Sequence, residues 1–218
     1  MGSSPVAEPA RETGELFSHD LGLGSDLVAG ADEAGRGCLA GPIVAAAVLL
    51  HGDCLADAGG GRLEGIGDSK KLTAKARERL YPEVLSCAER VVVVMRSARY
   101  IDANGLHVSN IECLSRAIEG LGVDQEAVTL VDGFALKGCA VSHRRLVKGD
   151  STSAAVAAAS IIAKVTRDRC MARAGDHYPG YGFEGHKGYA SPAHRDAIKL
   201  LGPSPIHRMS FDSDAYAA

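Results

Sequence analysis

The alanine-rich segment STSAAVAAASIIAKVTRDRCMARAG, residues 151–175, constrains the fold of this chain more than any other part of it. The segment starts with Ser and Thr, which favour the beginning of a helix, and it stops at a glycine, which favours the end. It therefore predicts one long helix whose small side chains allow close packing against a sheet. Strand-like segments alternate with helical segments in the rest of the chain, and this alternation predicts an α/β fold.

The other elements follow from local patterns. Residues 90–97, RVVVVMRS, form a continuous β-branched run that is typical of a buried central strand. Thr73 is predicted to cap a helix in which Pro82 would introduce a kink or a break. The other predicted strands lie within residues 26–32, 42–50, 126–133 and 139–150, and the other predicted helices lie at residues 100–121 and 191–202.

Composition excludes several classes of protein. The six cysteines are far apart and none lies in a CxxC pair, so neither a disulfide framework nor a structural zinc site is expected. The most membrane-like apolar run, residues 42–50, is too short to span a membrane. The first residues lack the pattern of a secretory signal. We therefore expect a cytoplasmic protein with no membrane partner. Residues 1–25, which hold few large apolar side chains, are predicted to form a flexible tail, and residues 212–218 a second one.

Charge is distributed unevenly along the chain. The net charge is −3, but residues 1–136 carry 12 Lys and Arg against 20 Asp and Glu, whereas residues 137–208 carry 12 against 5. A basic half in an acidic protein fits a surface that faces a polyanion such as nucleic acid. An uneven but merely solvated exterior explains the same distribution, so charge alone does not decide between the two interpretations.

Four carboxylates each lie where a strand or a turn meets the next element. Asp32 and Glu33 follow the first predicted strand, Asp132 ends another, and Asp150 precedes the long helix. Carboxylates that are brought together repel one another, and a divalent cation removes that cost. Oxygen ligands without His or Cys suit Mg²⁺ or Mn²⁺, and two such ions are a common apparatus for displacement at a phosphodiester. Taken alone, Asp150 is explained more simply as a helix cap.

Several strings of residues occur in an order that resembles a known family. They are ADEAGRG (31–37), DSKKL (68–72), VDG (131–133), VKGDS (147–151) followed by AAASIIAKVTRD (157–168), and HKGY (186–189). In this order they closely resemble type 2 ribonuclease H, the bacterial ribonuclease HII. The resemblance covers roughly residues 26–211 and makes them one catalytic domain. It implies a ribonuclease H-like fold, in which helices flank a mixed, mostly parallel sheet and a helical extension follows at the C-terminus.

The resemblance also implies an activity. Such an enzyme is a metal-dependent endonuclease that cuts the RNA strand of RNA/DNA hybrids. It also cuts on the 5′ side of a single ribonucleotide embedded in duplex DNA, which leaves 3′-hydroxyl and 5′-phosphate ends. By position, Asp32, Glu33, Asp132 and Asp150 match the catalytic, metal-binding carboxylates of the family. The partners implied are these nucleic acids, and we expect a monomer.

Further positions match the residues with which the family binds its substrate. Only the 2′-hydroxyl distinguishes RNA from DNA at a given nucleotide, and glycine allows the main chain to approach it closely. Gly35, Arg36 and Gly37 match the motif that contacts this hydroxyl, and Tyr189 matches the tyrosine that stacks at the RNA–DNA junction. Two lysines lie at positions that plausibly meet phosphates, Lys70 and Lys164.

Simpler interpretations of these residues stay open at this point. Arg36 can equally be an exposed residue of a Gly-rich turn, and Tyr189 can equally lie at the edge of the hydrophobic core. Tyr178 and Tyr181 are alternative candidates for the contact with substrate. Lys70 fits a solvated loop, and Lys164 lies either at an exposed helix edge or towards the site. Two histidines, His186 and His194, fit either phosphate binding or surface hydrogen bonds. The bulky Phe134 directly after VDG is unexpected in this family.

Two other functions remain conceivable from the sequence. A non-catalytic module that binds hybrids would be expected to lose at least one carboxylate, and all four are present. A metal-dependent phosphatase for small molecules would not need the basic C-terminal half or the pairing of GRG with HKGY. A metal-dependent endoribonuclease is therefore the function that the sequence favours.

Overall fold

A computed structural model of the chain describes residues 8–56, 61–124 and 126–216. Its strands form one five-stranded sheet in the spatial order β3-β2-β1-β4-β5. The strands are β1 (Leu27–Ala34), β2 (Ile43–His51), β3 (Arg90–Arg96), β4 (Val128–Asp132) and β5 (Arg144–Leu146). The helices are α1 (Glu8–Leu21), α2 (Gly52–Ala56), α3 (Ala74–Cys87), α4 (Ala98–Asn104), α5 (Leu106–Gly120), α6 (Ala154–His177), α7 (Phe183–His186) and α8 (Pro192–Leu201).

The sheet is mixed, and the predicted α/β fold is confirmed. Strand β2 runs antiparallel to both β1 and β3, whereas β4 runs parallel to both β1 and β5. The pairings are thus divided evenly between the two directions, which corrects the prediction of a mostly parallel sheet. The two parallel pairings bring the carboxyl ends of β1 and β4 to the same edge, where ligands bind in open α/β sheets.

Two apolar layers cover the sheet. Helix α6 packs against β1 and β2 on one face together with α1 and α3, and α5 packs against β1, β2 and β3 on the other. The predicted long helix is confirmed: Ser153 caps it by accepting a hydrogen bond from the Val156 amide, and its alanines from 154 to 163 are buried. A Cβ atom at Gly30 of β1 would lie 2.1 Å from the Ala155 carbonyl carbon, so helix and strand meet backbone to backbone.

The prediction of a buried central strand at residues 90–97 was wrong. Strand β3 lies at the edge of the sheet, and its residues alternate between exposed and partly buried. Val93 and Met95 are exposed. A run of β-branched residues records strand propensity, which edge and central strands share, so it does not determine position in the sheet.

Two predicted helices differ from the structure in detail. Thr73 caps α3 as expected, with its hydroxyl oxygen 3.1 Å from the Ala76 amide, but the helix continues through Pro82 without dividing. The helix predicted for residues 100–121 is two helices, α4 and α5, separated at Gly105 with φ of +82°. That left-handed conformation suits glycine and ends α4.

The predicted flexible tail over residues 1–25 is corrected from residue 8 onwards, while residues 1–7 lie outside the described part of the chain. Helix α1 buries Leu16 and Phe17 in the main core, so the low average apolar content concealed an amphipathic helix. At the other end, Ala215 is buried and the Tyr216 hydroxyl donates a hydrogen bond to the Leu39 carbonyl. Only residues 217–218 of the predicted C-terminal tail lie outside the description. The domain limits 26–211 stay a prediction.

No helix in the three described stretches of the chain combines the length and the apolar character that crossing a membrane requires.

Candidate active site

Two of the predicted carboxylates lie side by side at the carboxyl ends of β1 and β4. The parallel register pairs Ala31 with Val131, so the next residues along the two strands are Asp32 and Asp132. Glu33 follows on β1 and is held close to Asp32, whose Oδ1 accepts a hydrogen bond from the Glu33 amide at 2.7 Å. The sheet itself therefore brings these three carboxylates to one edge.

The fourth carboxylate arrives on a tight 3₁₀ turn between β5 and α6. Asp150 is the central residue of this turn, Gly149–Ser151. The Gly149 amide donates a hydrogen bond of 2.7 Å to Oδ1 of Asp132, which ties the turn to the end of β4. Lys148, directly before the turn, has the left-handed backbone conformation with φ of 57°, unusual for a residue with a side chain. The turn is thus built at some conformational cost beside the site.

The electrostatics of this edge indicate a place for a cation. Burial, and then the charges of neighbouring carboxylates, raise the pKa of Asp32 to about 7 and that of Glu33 to about 8. Burial, followed by repulsion from Asp68 and Asp132, also raises the pKa of Asp150. Each shift reflects the cost of holding negative charge in a partly desolvated cluster, and a bound divalent cation offsets that cost.

Asp68 is a fifth carboxylate of the site that the sequence analysis missed. It lies against Asp150, and its Oδ1 accepts a hydrogen bond of 2.9 Å from the Lys70 amide. The two aspartates line one cleft of about 340 Å³ together with Lys70, Asp132 and Lys148. Asp68 belongs to the segment DSKKL. A segment with one carboxylate and two lysines predicts a solvated loop when the fold is unknown, so the sequence did not indicate that Asp68 lies in the site.

Lys70 is one of the cations that the chain itself brings to these carboxylates. Burial lowers the pKa of its ammonium group, but the charges of Asp32, Asp150, Asp68 and Asp132 outweigh burial and raise that pKa. The structure places the exposed Lys70 within the electrostatic influence of these carboxylates, and its role in meeting a phosphate stays a prediction.

The chemistry of the donors fits a hard divalent cation. Oε2 of Glu33 is buried and accepts no hydrogen bond from any described residue, so a ligand oxygen is left free for an ion. As placed, no three His, Cys, Asp or Glu side chains within the described residues surround a common point at which a metal could be held. Binding an ion would therefore require the carboxylates to draw together, as oxygen ligands do around Mg²⁺ or Mn²⁺.

The Gly-Arg-Gly turn directly follows β1, and its two glycines have different reasons to be there. Gly35 has φ of +95°, and a Cβ atom there would lie 2.0 Å from Nε of the buried Arg167. Gly37 has open space around the position of a Cβ atom, so the packing of the described chain does not require glycine at this position. Gly35 serves the fold, whereas Gly37 leaves main chain accessible from outside.

Arg36 is held by contacts on three sides. Its guanidinium lies 4.6 Å from the centre of the Phe134 ring and 3.8 Å from Oε1 of Glu33, and its carbonyl accepts a hydrogen bond from Arg208. The side chain is 41% exposed. The bulky Phe134 after VDG therefore has a role in the structure: its ring packs against the guanidinium of Arg36 and helps to hold it beside Glu33.

Tyr189 folds back against the Gly-Arg-Gly turn, although more than 150 residues separate them. The Gly188 carbonyl accepts hydrogen bonds from the amides of Leu39 and Ala40 at 2.9 and 3.3 Å. The Tyr189 side chain lies near the thiol of Cys38, and 42% of the residue is exposed. Tyr189 therefore offers its ring beside the turn.

The rival tyrosines are placed elsewhere. Tyr181 is buried, and its hydroxyl donates to the Gly202 carbonyl at 2.7 Å. Tyr178 is partly buried and packs against the buried cluster that contains Phe183. Lys164 lies near the ring of Tyr189, with Nζ 5.4 Å from the ring centre, and pairs with Asp168 at 2.7 Å. Its side chain therefore points towards the site but is already paired with a carboxylate.

The histidines hold the loop that carries Tyr189. His194 is fully buried, donates from Nδ1 to the Tyr189 carbonyl at 2.9 Å, and has Nε2 at 3.0 Å from Nε2 of His207. Because burial lowers the pKa of His194 to about 4, the ring is neutral at neutral pH. His186 uses both ring nitrogens on the main chain, with the Tyr181 carbonyl and the Gly188 amide. These contacts leave no ring nitrogen of His186 or His194 for a phosphate.

Comparison with sequence families gives one match over most of the chain. A model of the family described as ribonuclease HII matches residues 29–214. A ribonuclease HII of Rhodococcus erythropolis is 46% identical over 214 residues, which cover 97% of this chain and 92% of that protein. A ribonuclease HII of Nocardia farcinica is 49% identical over 204 residues, which cover 92% of this chain and 79% of that protein.

Solved structures with the same fold come from the same group of enzymes. The ribonuclease HII of Archaeoglobus fulgidus, solved in complex with PCNA, superposes with a TM-score of 0.69 at 28% identity, covering 86% of this chain and 96% of that one. The ribonuclease H2 of Pyrococcus horikoshii gives the same TM-score and identity and covers 88% and 95%. A ribonuclease HIII solved with Mn²⁺ has a TM-score of 0.66 at 19% identity over 98% and 72% of the two chains, a likeness of fold.

Proposed function

The chain belongs to the ribonuclease HII family, whose members are divalent-metal-dependent endonucleases that hydrolyse the RNA strand of RNA/DNA hybrids. We propose that this enzyme also incises duplex DNA on the 5′ side of a single embedded ribonucleotide, the first step in removing it from a genome. The observation that carries the proposal is the contact between the Gly188 carbonyl and the amides of Leu39 and Ala40. This contact supports a position of Tyr189 beside the Gly-Arg-Gly turn, which follows β1 and its two carboxylates along the chain.

The carboxylate cluster supplies the hydrolytic half of the proposal. Asp32, Glu33, Asp132 and Asp150 would hold Mg²⁺ or Mn²⁺, with the free Oε2 of Glu33 as one ligand. Held by these carboxylates, such ions would supply activation of a water molecule and stabilisation of the leaving 3′ oxygen, the chemistry that leaves a 3′-hydroxyl and a 5′-phosphate. Lys70 places a positive charge among the same carboxylates, where it can also meet a phosphate of the substrate.

The turn and the tyrosine supply the half that recognises ribose. The main chain at Gly37 is open to the outside, so backbone groups there can approach a 2′-hydroxyl. The half-exposed ring of Tyr189 can lie against the neighbouring sugar and detect its shape. A single ribonucleotide presents one 2′-hydroxyl, and one 2′-hydroxyl is sufficient for recognition by this turn and this tyrosine. The predicted cytoplasmic location and monomeric state stay predictions.

A labelled duplex DNA with one embedded ribonucleotide tests the proposal. With Mg²⁺ or Mn²⁺ we expect one nick 5′ of the ribonucleotide, abolished by a chelator, and no cut in the all-DNA duplex. A continuous RNA/DNA hybrid measured alongside reports the family activity separately. Cleavage of that hybrid without a nick in the single-ribonucleotide duplex would overturn the proposal.

Replacing Arg36 tests the recognition half. Arg36→Ala removes the guanidinium that Phe134 and Glu33 hold in place. We expect roughly a tenfold loss in the binding preference for the ribonucleotide-bearing duplex over plain DNA, as for other lost polar contacts of about 1.4 kcal/mol. Arg99→Ala, an exposed arginine of α4, is the matched control for lost positive charge. An unchanged preference in Arg36→Ala, measured by fluorescence anisotropy, would remove Arg36 from recognition.

A further inference from the structure

Helix α1 lies before the residues that the family model matches, yet it contacts the segments that carry the active site. The match begins at residue 29, whereas α1 ends at Leu21. The helix buries two large side chains in the main core and lines a cavity of about 340 Å³ together with the Asp68 loop and Ser151. With these contacts, helix α1 supports the loops that carry the active-site residues.

One carboxylate of α1 reaches the first turn of α6. Asp20 is fully buried, and its Oδ2 accepts hydrogen bonds from the Ser153 hydroxyl at 3.0 Å and the Ala155 amide at 2.9 Å. Its Oδ1 lies 2.8 Å from Nδ1 of His19. The two bonds at Oδ2 satisfy donors at the N-terminus of α6, where a negative charge is also favourable.

Further hydrogen bonds connect Ser153, the partner of Asp20, to the carboxylate cluster. The Ser153 amide donates to the Gly149 carbonyl at 2.8 Å, and the Gly149 amide donates to Oδ1 of Asp132 at 2.7 Å. Asp150 is the residue that follows Gly149 in the same 3₁₀ turn. A chain of short, fixed hydrogen bonds therefore joins Asp20 to two of the four carboxylates.

We propose that Asp20 is a positioning residue, which holds the Gly149–Ser151 turn and with it Asp132 and Asp150 in the arrangement that metal binding and catalysis need. The inference rests on the proposed metal-binding role of these two carboxylates. Asp20 lies too far along this chain of bonds to touch substrate, and it acts only through Ser153 and Gly149. Removing partners of this kind behind metal ligands costs about 10–100-fold in metal affinity or activity.

The test compares Asp20→Ala with Asp20→Asn. Alanine removes both bonds to α6, whereas the asparagine side-chain oxygen can still accept them, so Asn is expected to restore function. For Asp20→Ala we expect kcat on an RNA/DNA hybrid to fall about tenfold with little change in KM. Calorimetric titration with Mn²⁺ alone is expected to show a similar loss of affinity. Asp20→Asn is expected to lie within about twofold of the unmodified enzyme in both measurements.

A control separates positioning from loss of stability. Ile118→Val truncates the core on the opposite face of the sheet, and it is expected to lower the melting temperature while leaving kcat and Mn²⁺ affinity unchanged. An Asp20→Ala enzyme that behaves like this control would overturn the positioning role. Absence of hybrid cleavage by the unmodified enzyme would instead contradict the hydrolytic activity itself, so the two failures differ.

A second variant keeps the test open if Asp20→Ala does not fold. Ser153→Ala removes the hydroxyl that donates to Asp20 and that also caps α6 through the Val156 amide, and it leaves the bond from the Ala155 amide to Asp20 in place. We expect a smaller fall in kcat, accompanied by weaker binding of Mn²⁺. Unchanged kcat and unchanged Mn²⁺ affinity in this variant would overturn the proposal.

Discussion

Asp132→Asn is expected to abolish measurable cleavage of RNA/DNA hybrids while leaving hybrid binding nearly intact. Asp132 lies at the centre of the carboxylate cluster, next to Asp32 across the parallel strands and bonded to the turn of Asp150. Asparagine is isosteric and can still accept the Gly149 hydrogen bond, so the local structure is kept. It lacks the charge that would hold a divalent cation. Losing several kcal/mol of transition-state stabilisation corresponds to a fall of roughly a thousandfold in kcat.

Two measurements distinguish a loss of the chemical step from a loss of folding or of substrate binding. The melting temperature of Asp132→Asn is expected to equal or exceed that of the unmodified enzyme, because one of several mutually repelling carboxylates is neutralised. Anisotropy with a labelled hybrid is expected to show retained affinity, since the grip on the substrate comes mainly from basic and backbone groups. Asp124→Asn, which lies before the opposite end of β4, is the matched control. Near-normal turnover in Asp132→Asn would remove this carboxylate from the metal site.

The carboxylate edge could be predicted because its determinants are local. Asp132 ends β4 and Asp32 lies two residues before the end of β1, and the carboxyl ends of parallel neighbours lie at one edge of a sheet. The long helix α6 could be predicted for the same reason, since its cap and its alanines lie within one segment. Order along the chain was sufficient for these features.

Other features could not be predicted because they depend on contacts between distant segments. The docking of Tyr189 near the Gly-Arg-Gly turn rests on backbone hydrogen bonds that the Gly188 carbonyl accepts from Leu39 and Ala40, and such bonds leave no side-chain pattern in the sequence. The position of β3 at the sheet edge is set by pairing order, to which a β-branched run is indifferent. Composition predicts a tail where helix α1 lies, because an average conceals the apolar pair that anchors the helix and the buried aspartate that binds it to α6.

Gly30→Ala is expected to produce a large loss of stability, the largest among Gly→Ala substitutions at glycines of the described residues. The new Cβ would lie 2.1 Å from the carbonyl carbon of Ala155 and 2.2 Å from the Val156 amide nitrogen, and both belong to the backbone of α6. No side-chain rotation relieves such a contact, so β1 and α6 must separate. We expect a loss of about 3 kcal/mol or more, which corresponds to a fall of roughly 10 °C in melting temperature.

The same substitution should also reduce activity, because the contact lies directly behind the site. Ala155 is in the first turn of α6, which follows the turn of Asp150, so moving the helix away from β1 moves Asp150 relative to Asp32. Gly14→Ala in α1 is the matched control: a Cβ there meets nothing within 4 Å, and alanine in a helix is expected to stabilise by about 0.5–1 kcal/mol. A Gly30→Ala enzyme that melts at the same temperature as the unmodified enzyme would show that β1 and α6 are not in backbone contact. In that case the close approach could not be what sets Asp150 beside Asp32.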